Sequence, residues 1–286
     1  MNSLWLRGIL VACLACAVPM KASAAAPTSP ADPEKVLRYV FVAPETGFDP
    51  AITRDLYSAL VVQSVFETLF TYDYLARPAK LIPLTAEALP EVSADGKTYT
   101  IRLKKGIYFA DDPAFNGKKR ELTMADYVYS YKRLFDPRLA SPHSWLLEGK
   151  VVGLDEVAEQ ARKTNHFDYD ANVAGFELLD RYTLRIHLKQ SDFNLGMILA
   201  HEPTSAIARE VVEKYHDAQG QVMANPVGTG PYKLTNWVRG ARMTLTANPD
   251  FRGSVWDFQP SSDPGDQEIV AKLKGKRMPQ IGRIEI

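Results

Sequence analysis

The sequence is short of thiols, holding only Cys13 and Cys16, and both lie within its first sixteen residues. A cut after Ala24 therefore leaves a chain without disulfides, cysteine metal sites or cysteine nucleophiles. Charge of one sign is also lacking. Removing Arg7 and Lys21 with the leader takes 34 basic residues to 32 against 34 acidic ones, with no block of either sign. Nucleic-acid binding has no electrostatic support in such a chain. After the leader, no apolar run approaches the length that spans a bilayer. The five histidines, His143, His166, His187, His201 and His216, show no metal-ligand spacing, and no cofactor or metal is expected. Neither a Gly-x-Ser-x-Gly elbow nor a His-Glu-x-x-His pair occurs, which removes two common hydrolase signatures. The full sequence is 46% hydrophobic, 24% charged and 10% aromatic, the composition of a globular chain of one large or two modest domains.

The first 24 residues have the layout of a secretory signal peptide: Arg7, an apolar stretch from Gly8 to Val18, Pro19, then Ala22, Ser23 and Ala24. Cleavage after Ala24 or Ala26 would export the rest, with residues 25–35 a disordered linker rich in Pro, Ala and Ser. A rival reading takes Leu10, Val11, Ala12 and Cys13 as a lipoprotein box, with lipid on Cys13. The signal peptide is preferred, because the apolar run continues past Cys13 to a better-placed small-residue site.

Along the exported chain, Val36 to Ala43 reads as a buried strand that ends at Pro44 in a loop with Gly47, Asp49 and Pro50. Leu60, Val61, Val65, Phe66 and Leu69 then recur at helical spacing, which predicts a helix over 56–69 packed on that strand. Tyr99, Ile101 and Leu103 alternate with polar residues as in a half-buried strand. Thr123 caps a helix running to about Phe135, with Asp126 favoured by the N-terminal dipole. Residues 152–163 predict a further helix, and Phe176–Leu179 with Thr183–Leu188 predict a hairpin turning at Asp180 and Arg181. A helix over Arg209–Tyr215 precedes a second hairpin, Pro231–Trp237 with Arg242–Ala247, turning at Arg239 and Gly240.

The most informative run is Asn225 to Leu234, with Trp237 beyond it. Pro226 and Pro231 fix φ, Gly228 and Gly230 permit close packing, and Tyr232 begins a strand, so the loop has one shape. No Lys-Ser or Lys-Thr follows the glycines at P-loop spacing, and a packing corner is the preferred role over ligand contact. The run resembles a signature of family 5 extracellular solute-binding proteins, the periplasmic receptors of peptide-importing ABC transporters. The likeness extends from Val36 to Ile286. Gly47–Pro50 is similar to the family's Leu-Asp-Pro element, Val65–Leu69 to its Glu-Gly-Leu helix end with Thr68 in place of glycine, and Asp95–Thr100 with Leu103–Gly106 and Phe109 to its Asp-Gly strand element. Leu122–Ser130 resembles its Thr-Ala-Asp-Asp-Val helix start, and Asn248–Phe251 its Asn-Pro-aromatic pair.

The resemblance implies an α/β fold of the class II periplasmic-binding-protein type. A mixed-sheet lobe is expected from residues 36–66 and 209–286, with an α+β domain inserted over 67–208 and the second lobe missing beyond Ile286. A third domain that supplies the other half of a closing cleft in family members would follow there. It further implies a monomeric periplasmic carrier that delivers oligopeptides or a related small solute to an ABC permease in the inner membrane. Thr53, Arg54, Asp55, Leu56 and His143 match ligand-facing positions. Arg54 and His143 depart from the peptide-binding pattern, which has tyrosine at the latter. Asp55 also suits a helix cap, and Trp145, Trp237 and Trp256 suit core as well as cleft. Two other readings stand beside this one: a secreted hydrolase with a dispersed carboxylate pair, and a non-functional fragment.

Overall fold

A computed structural model describes residues 30–286. The signal peptide, the lipidation motif at Cys13 and residues 25–29 of the expected linker lie outside the described residues. The elements are β1 (Asp32–Arg38), α1 (Leu56–Val65), β2 (Phe70–Tyr72), β3 (Leu81–Pro83), β4 (Glu91–Val92), β5 (Thr98–Arg102), α2 (Met124–Arg133), α3 (Leu154–Thr164), β6 (Phe176–Asp180), β7 (Thr183–His187), α4 (Leu195–Ile198), α5 (Arg209–Tyr215), β8 (Tyr232–Val238), β9 (Arg242–Ala247), β10 (Ser254–Val255), α6 (Pro264–Leu273), β11 (Arg277–Met278) and β12 (Ile281–Glu285). None of the described helices is long and apolar enough to cross a membrane.

Two four-stranded sheets organise the described chain. The first has the order β1-β12-β9-β8 and is mixed: β1 runs parallel to β12, while β12–β9 and β9–β8 are antiparallel. The ends of the described chain thus share one sheet, with Val36 opposite Arg283 and Arg38 opposite Glu285. The second sheet, β4-β5-β7-β6, is antiparallel throughout. Its alternation is that of the sequence: Tyr99 and Ile101 face the core opposite Ile186 and Leu184, while Arg102 points to solvent. Helix α2 lies in the same core, with Tyr131 stacked near Phe176 at 5.8 Å. Asp126 accepts from the Thr123 backbone N–H at 2.8 Å, the acidic half of the capping box expected at this helix start.

Four local expectations are corrected. Residues 32–35 are not linker but the start of β1, because pairing with Gln280 and Ile281 supplies backbone partners that local composition does not reveal. Pro33 is tolerated there because β1 is an edge strand. The strand ends at Arg38 rather than Ala43, where pairing with β12 stops, and Val42 is 88% exposed rather than buried.

Helix α1 stops at Val65 instead of Leu69. Its Val65 carbonyl, which would accept from residue 69 in a continued helix, accepts instead from the Gly230 N–H at 2.8 Å. The incoming loop ends the helix. Helix α1 also packs chiefly on β8 rather than on β1, although Phe41, just after β1, stacks on Tyr57 at 4.5 Å.

Candidate functional site

The signature loop is a packing corner. A Cβ on Gly228 would lie 2.1 Å from the Val65 carbonyl oxygen, and one on Gly230 would lie 2.7 Å from it, so only glycine lets this backbone meet the end of α1. Pro226 and Pro231 set the loop on either side, and Tyr232 opens β8 with its hydroxyl donating to the Ile281 carbonyl at 3.1 Å. Between the glycines, Thr229 donates its hydroxyl to Glu67 Oε2 at 2.9 Å. Glu67 is buried and is held by both Nη atoms of Arg252 at 2.7 and 2.8 Å. One fork therefore joins the end of α1, the signature loop and the segment after β9.

The Asp-Pro loop is held by a second fork. Asp49 accepts from Arg133 Nη1 and Nη2, each at 2.8 Å, and from the backbone N–H groups of Ala51 at 3.0 Å and Val222 at 2.8 Å. Arg133 Nη2 also donates to the Gly220 carbonyl at 3.1 Å. Both side chains are sealed from solvent, at 0% and 1% exposure. Burial alone would raise the Asp49 pKa; the Arg133 charge, its hydrogen bonds and the two backbone donors outweigh it and hold the carboxyl below its ordinary range. The pair ties the Asp-Pro loop to the end of α2 and to the 217–223 turn.

On this anchored loop sit most of the expected ligand-facing residues, and the structure brings them together with His143. Three contacts clip segment 51–54 to segment 140–143. His143 Nε2 lies 2.6 Å from the Thr53 carbonyl, Arg54 Nη2 donates to the Ala140 carbonyl at 3.2 Å, and the Ser141 hydroxyl donates to the Ala51 carbonyl. Bonding to a carbonyl makes Nε2 the protonated nitrogen of His143. Burial lowers the His143 pKa, and Arg54 and His201 act in the same direction, against the Thr53 bond and Glu202.

Within the group, exposure differs. Arg54 is exposed, Leu56 is 68% exposed and Trp145, two residues past His143, is 61% exposed. Thr53 lies beneath them: its side chain is buried and its hydroxyl donates to the Asp49 carbonyl at 2.8 Å. Asp55 is the N-cap of α1, accepting from the Ser58 N–H at 2.7 Å and the Thr46 hydroxyl at 2.6 Å, so its carboxylate is already engaged. Trp237 belongs to a core corner, packed edge-on against Phe48 at 4.8 Å with its indole N–H on buried Glu45, and Trp256 is buried against Phe258.

Sequence reasoning missed Arg133, Glu67, Arg252 and Glu45 as structural anchors. One signal was available for the first: α2 is buried on nearly every face, so a charge at its end needed a buried partner. The described residues contain no cluster of His, Cys, Asp and Glu able to hold a metal ion.

A mixed sheet closed by the two ends of the described chain, with a separate antiparallel sheet between them in sequence, is the frame in which these clipped residues are set. The profile of the bacterial extracellular solute-binding proteins, family 5 (Middle), matches residues 80–286, and the chain belongs to that family. It is 29% identical over 257 residues to the periplasmic oligopeptide-binding protein OppA of Salmonella typhimurium, which covers 90% of this chain and 43% of OppA. It is 31% identical over 192 residues to the glutathione-binding protein GsiB of Escherichia coli K12, covering 67% of this chain and 30% of GsiB. Haemophilus influenzae OppA, solved in complex with the peptide RPPGFSPFR, superposes with a TM-score of 0.63 at 24% identity, over 89% of this chain and 42% of that one. The murein tripeptide binding protein MppA of Escherichia coli gives 0.61 at 18%, over 90% and 42%. The chain thus spans less than half the length of these relatives.

Proposed function

We propose that this chain is the N-terminal part of a periplasmic substrate-binding protein of an ABC importer, carrying oligopeptides or a related small solute to an inner-membrane permease. In this reading the carrier is monomeric and exported by its signal peptide, and it holds cargo without transforming it. A lobe built from the first mixed sheet, residues 32–66 and 209–286, carries the inserted unit 67–208, and the rim of Arg54, Leu56, His143 and Trp145 faces the ligand. The observation that carries the reading is the clipped rim on the Asp49–Arg133 anchor, in a chain of this family. An extended peptide offers backbone donors and acceptors and charged ends, so such a receptor recognises many sequences through main chain and termini. Relatives that bear oligopeptide-binding and glutathione-binding names support a peptide-like cargo.

The test is titration of the purified chain with tripeptides and glutathione, followed by tryptophan fluorescence, with chromatography of the solution afterwards. Saturable binding with intact ligand is expected. Released amino acids would overturn the carrier reading in favour of a hydrolase. An absence of cooperative unfolding would mark a non-functional fragment.

A further inference from the structure

Arg54 makes no ion pair among the described residues, in a chain where most arginines face a carboxylate, including Arg38, Arg102, Arg120, Arg133, Arg209 and Arg252. Its sequence neighbour Asp55 forms no ion pair with it; that carboxylate instead accepts from Ser58 and Thr46. Nor is the guanidinium loose. Nη2 is pinned on the Ala140 carbonyl, and Ala140 has a left-handed φ of 46°, a conformation disfavoured for a residue with a Cβ. The flanking contacts of Ser141 and His143 hold that segment in place. Nε and Nη1 have no hydrogen-bond partner among the described residues. An exposed cation is thus fixed by one nitrogen, with its other donors unpaired among the described residues, on a segment whose neighbours in sequence or across the clip, Leu56 and Trp145, are exposed apolar side chains. Glu202 acts electrostatically on the neighbouring His143 and forms no ion pair with Arg54 among the described residues.

We infer that Arg54 is a specificity-determining residue that takes a ligand carboxylate, so that the preferred cargo is a peptide with an anionic group placed at this rim. The inference rests on the carrier reading above and names its ligand class. A guanidinium matches a carboxylate with two parallel N–H donors, and pinning it beforehand lowers the ordering cost on binding. The carboxylate has two sources, an acidic side chain or the peptide C-terminus.

The experiment uses the chain as it stands, in wild-type, Arg54→Ala and Arg54→Glu forms, titrated calorimetrically at low ionic strength with Ala-Glu-Ala, Ala-Gln-Ala, Ala-Glu-Ala-amide and Ala-Lys-Ala. Wild type is expected to lose about tenfold in affinity when the carboxylate that Arg54 holds is removed, the scale of one charge-assisted pair. Loss on Glu-to-Gln replacement assigns the side chain; loss on amidation assigns the terminus. Arg54→Ala removes the difference, and Arg54→Glu reverses it toward Ala-Lys-Ala. Equal affinity of wild type for all four peptides overturns the inference and leaves the carrier reading intact. Absence of binding to any peptide by a cooperatively folded chain overturns both.

Discussion

Replacing Arg133 by Met removes both Nη donors from Asp49 and leaves a carboxylate at 0% exposure with the Ala51 and Val222 N–H groups as its remaining partners. Breaking a buried ion pair from one side costs about 3–5 kcal/mol, because the surviving charge stays desolvated. Against a total stability of about 5–15 kcal/mol, this is a large fraction. With an m-value of about 2–3 kcal/mol per molar urea, the unfolding midpoint falls by about 1–2 M. Asp49→Asn leaves the opposite charge buried and should cost a similar amount. The double variant is expected to cost much less than the sum, since neither charge remains, with a coupling energy of up to about 3 kcal/mol. Acid supplies a second readout. The folded-state pKa of Asp49 lies below its ordinary value of 3.8, so the pair's contribution is fully present above that pH and is lost as pH falls through the folded value. Without Arg133, burial pushes that pKa up, so the stability gap between wild type and Arg133→Met narrows as the solution is acidified toward pH 4. A cost below about 1 kcal/mol, or additivity of the two single variants within about 0.5 kcal/mol, would refute the assignment of this pair as the anchor of the rim.

Other outcomes follow from the same geometry. Gly228→Ala drives a methyl group into the Val65 carbonyl and should destabilise by at least about 1–3 kcal/mol in urea unfolding, whereas Gly240→Ala, at φ +67° with no atom within 4 Å of its Cβ, should cost only about 1 kcal/mol. An equal cost at both would place the strain elsewhere. Glu67→Gln weakens the fork to Arg252 and should lower stability by about 1.5–3 kcal/mol, measured by the same melt. For His143 the folded-state pKa is depressed below 6.5, so its contribution is fully present above that pH and declines as pH falls through the window beneath it. His143→Gln should flatten that part of the stability profile, and an unchanged slope would show that another group sets it.

Much of this architecture was legible locally. The alternation at Tyr99 and Ile101, the Thr123 and Asp126 cap, the two hairpins and the helix over Arg209–Tyr215 are set by periods of 2 and 3.6 and by turn chemistry, all short-range properties. The candidate site was legible as a set of positions through family resemblance, but not as a surface. Sequence could not separate Thr53, which is buried, from Arg54, which is exposed, because the difference arises from Asp49 and Arg133 drawing the loop inward from 84 residues apart.

The amino-acid order by itself determined helices α2, α3 and α5, the two hairpins, the glycine and proline corner, and the family. Only the tertiary structure decided where α1 ends, that β1 begins at Asp32 and joins β12, that Asp55 is engaged in a cap, and that Arg54 is pinned without an ion pair among the described residues. The physical reason is the same in each case: a backbone carbonyl, a strand edge or a buried charge is satisfied by a partner distant in sequence, and no local window contains that partner.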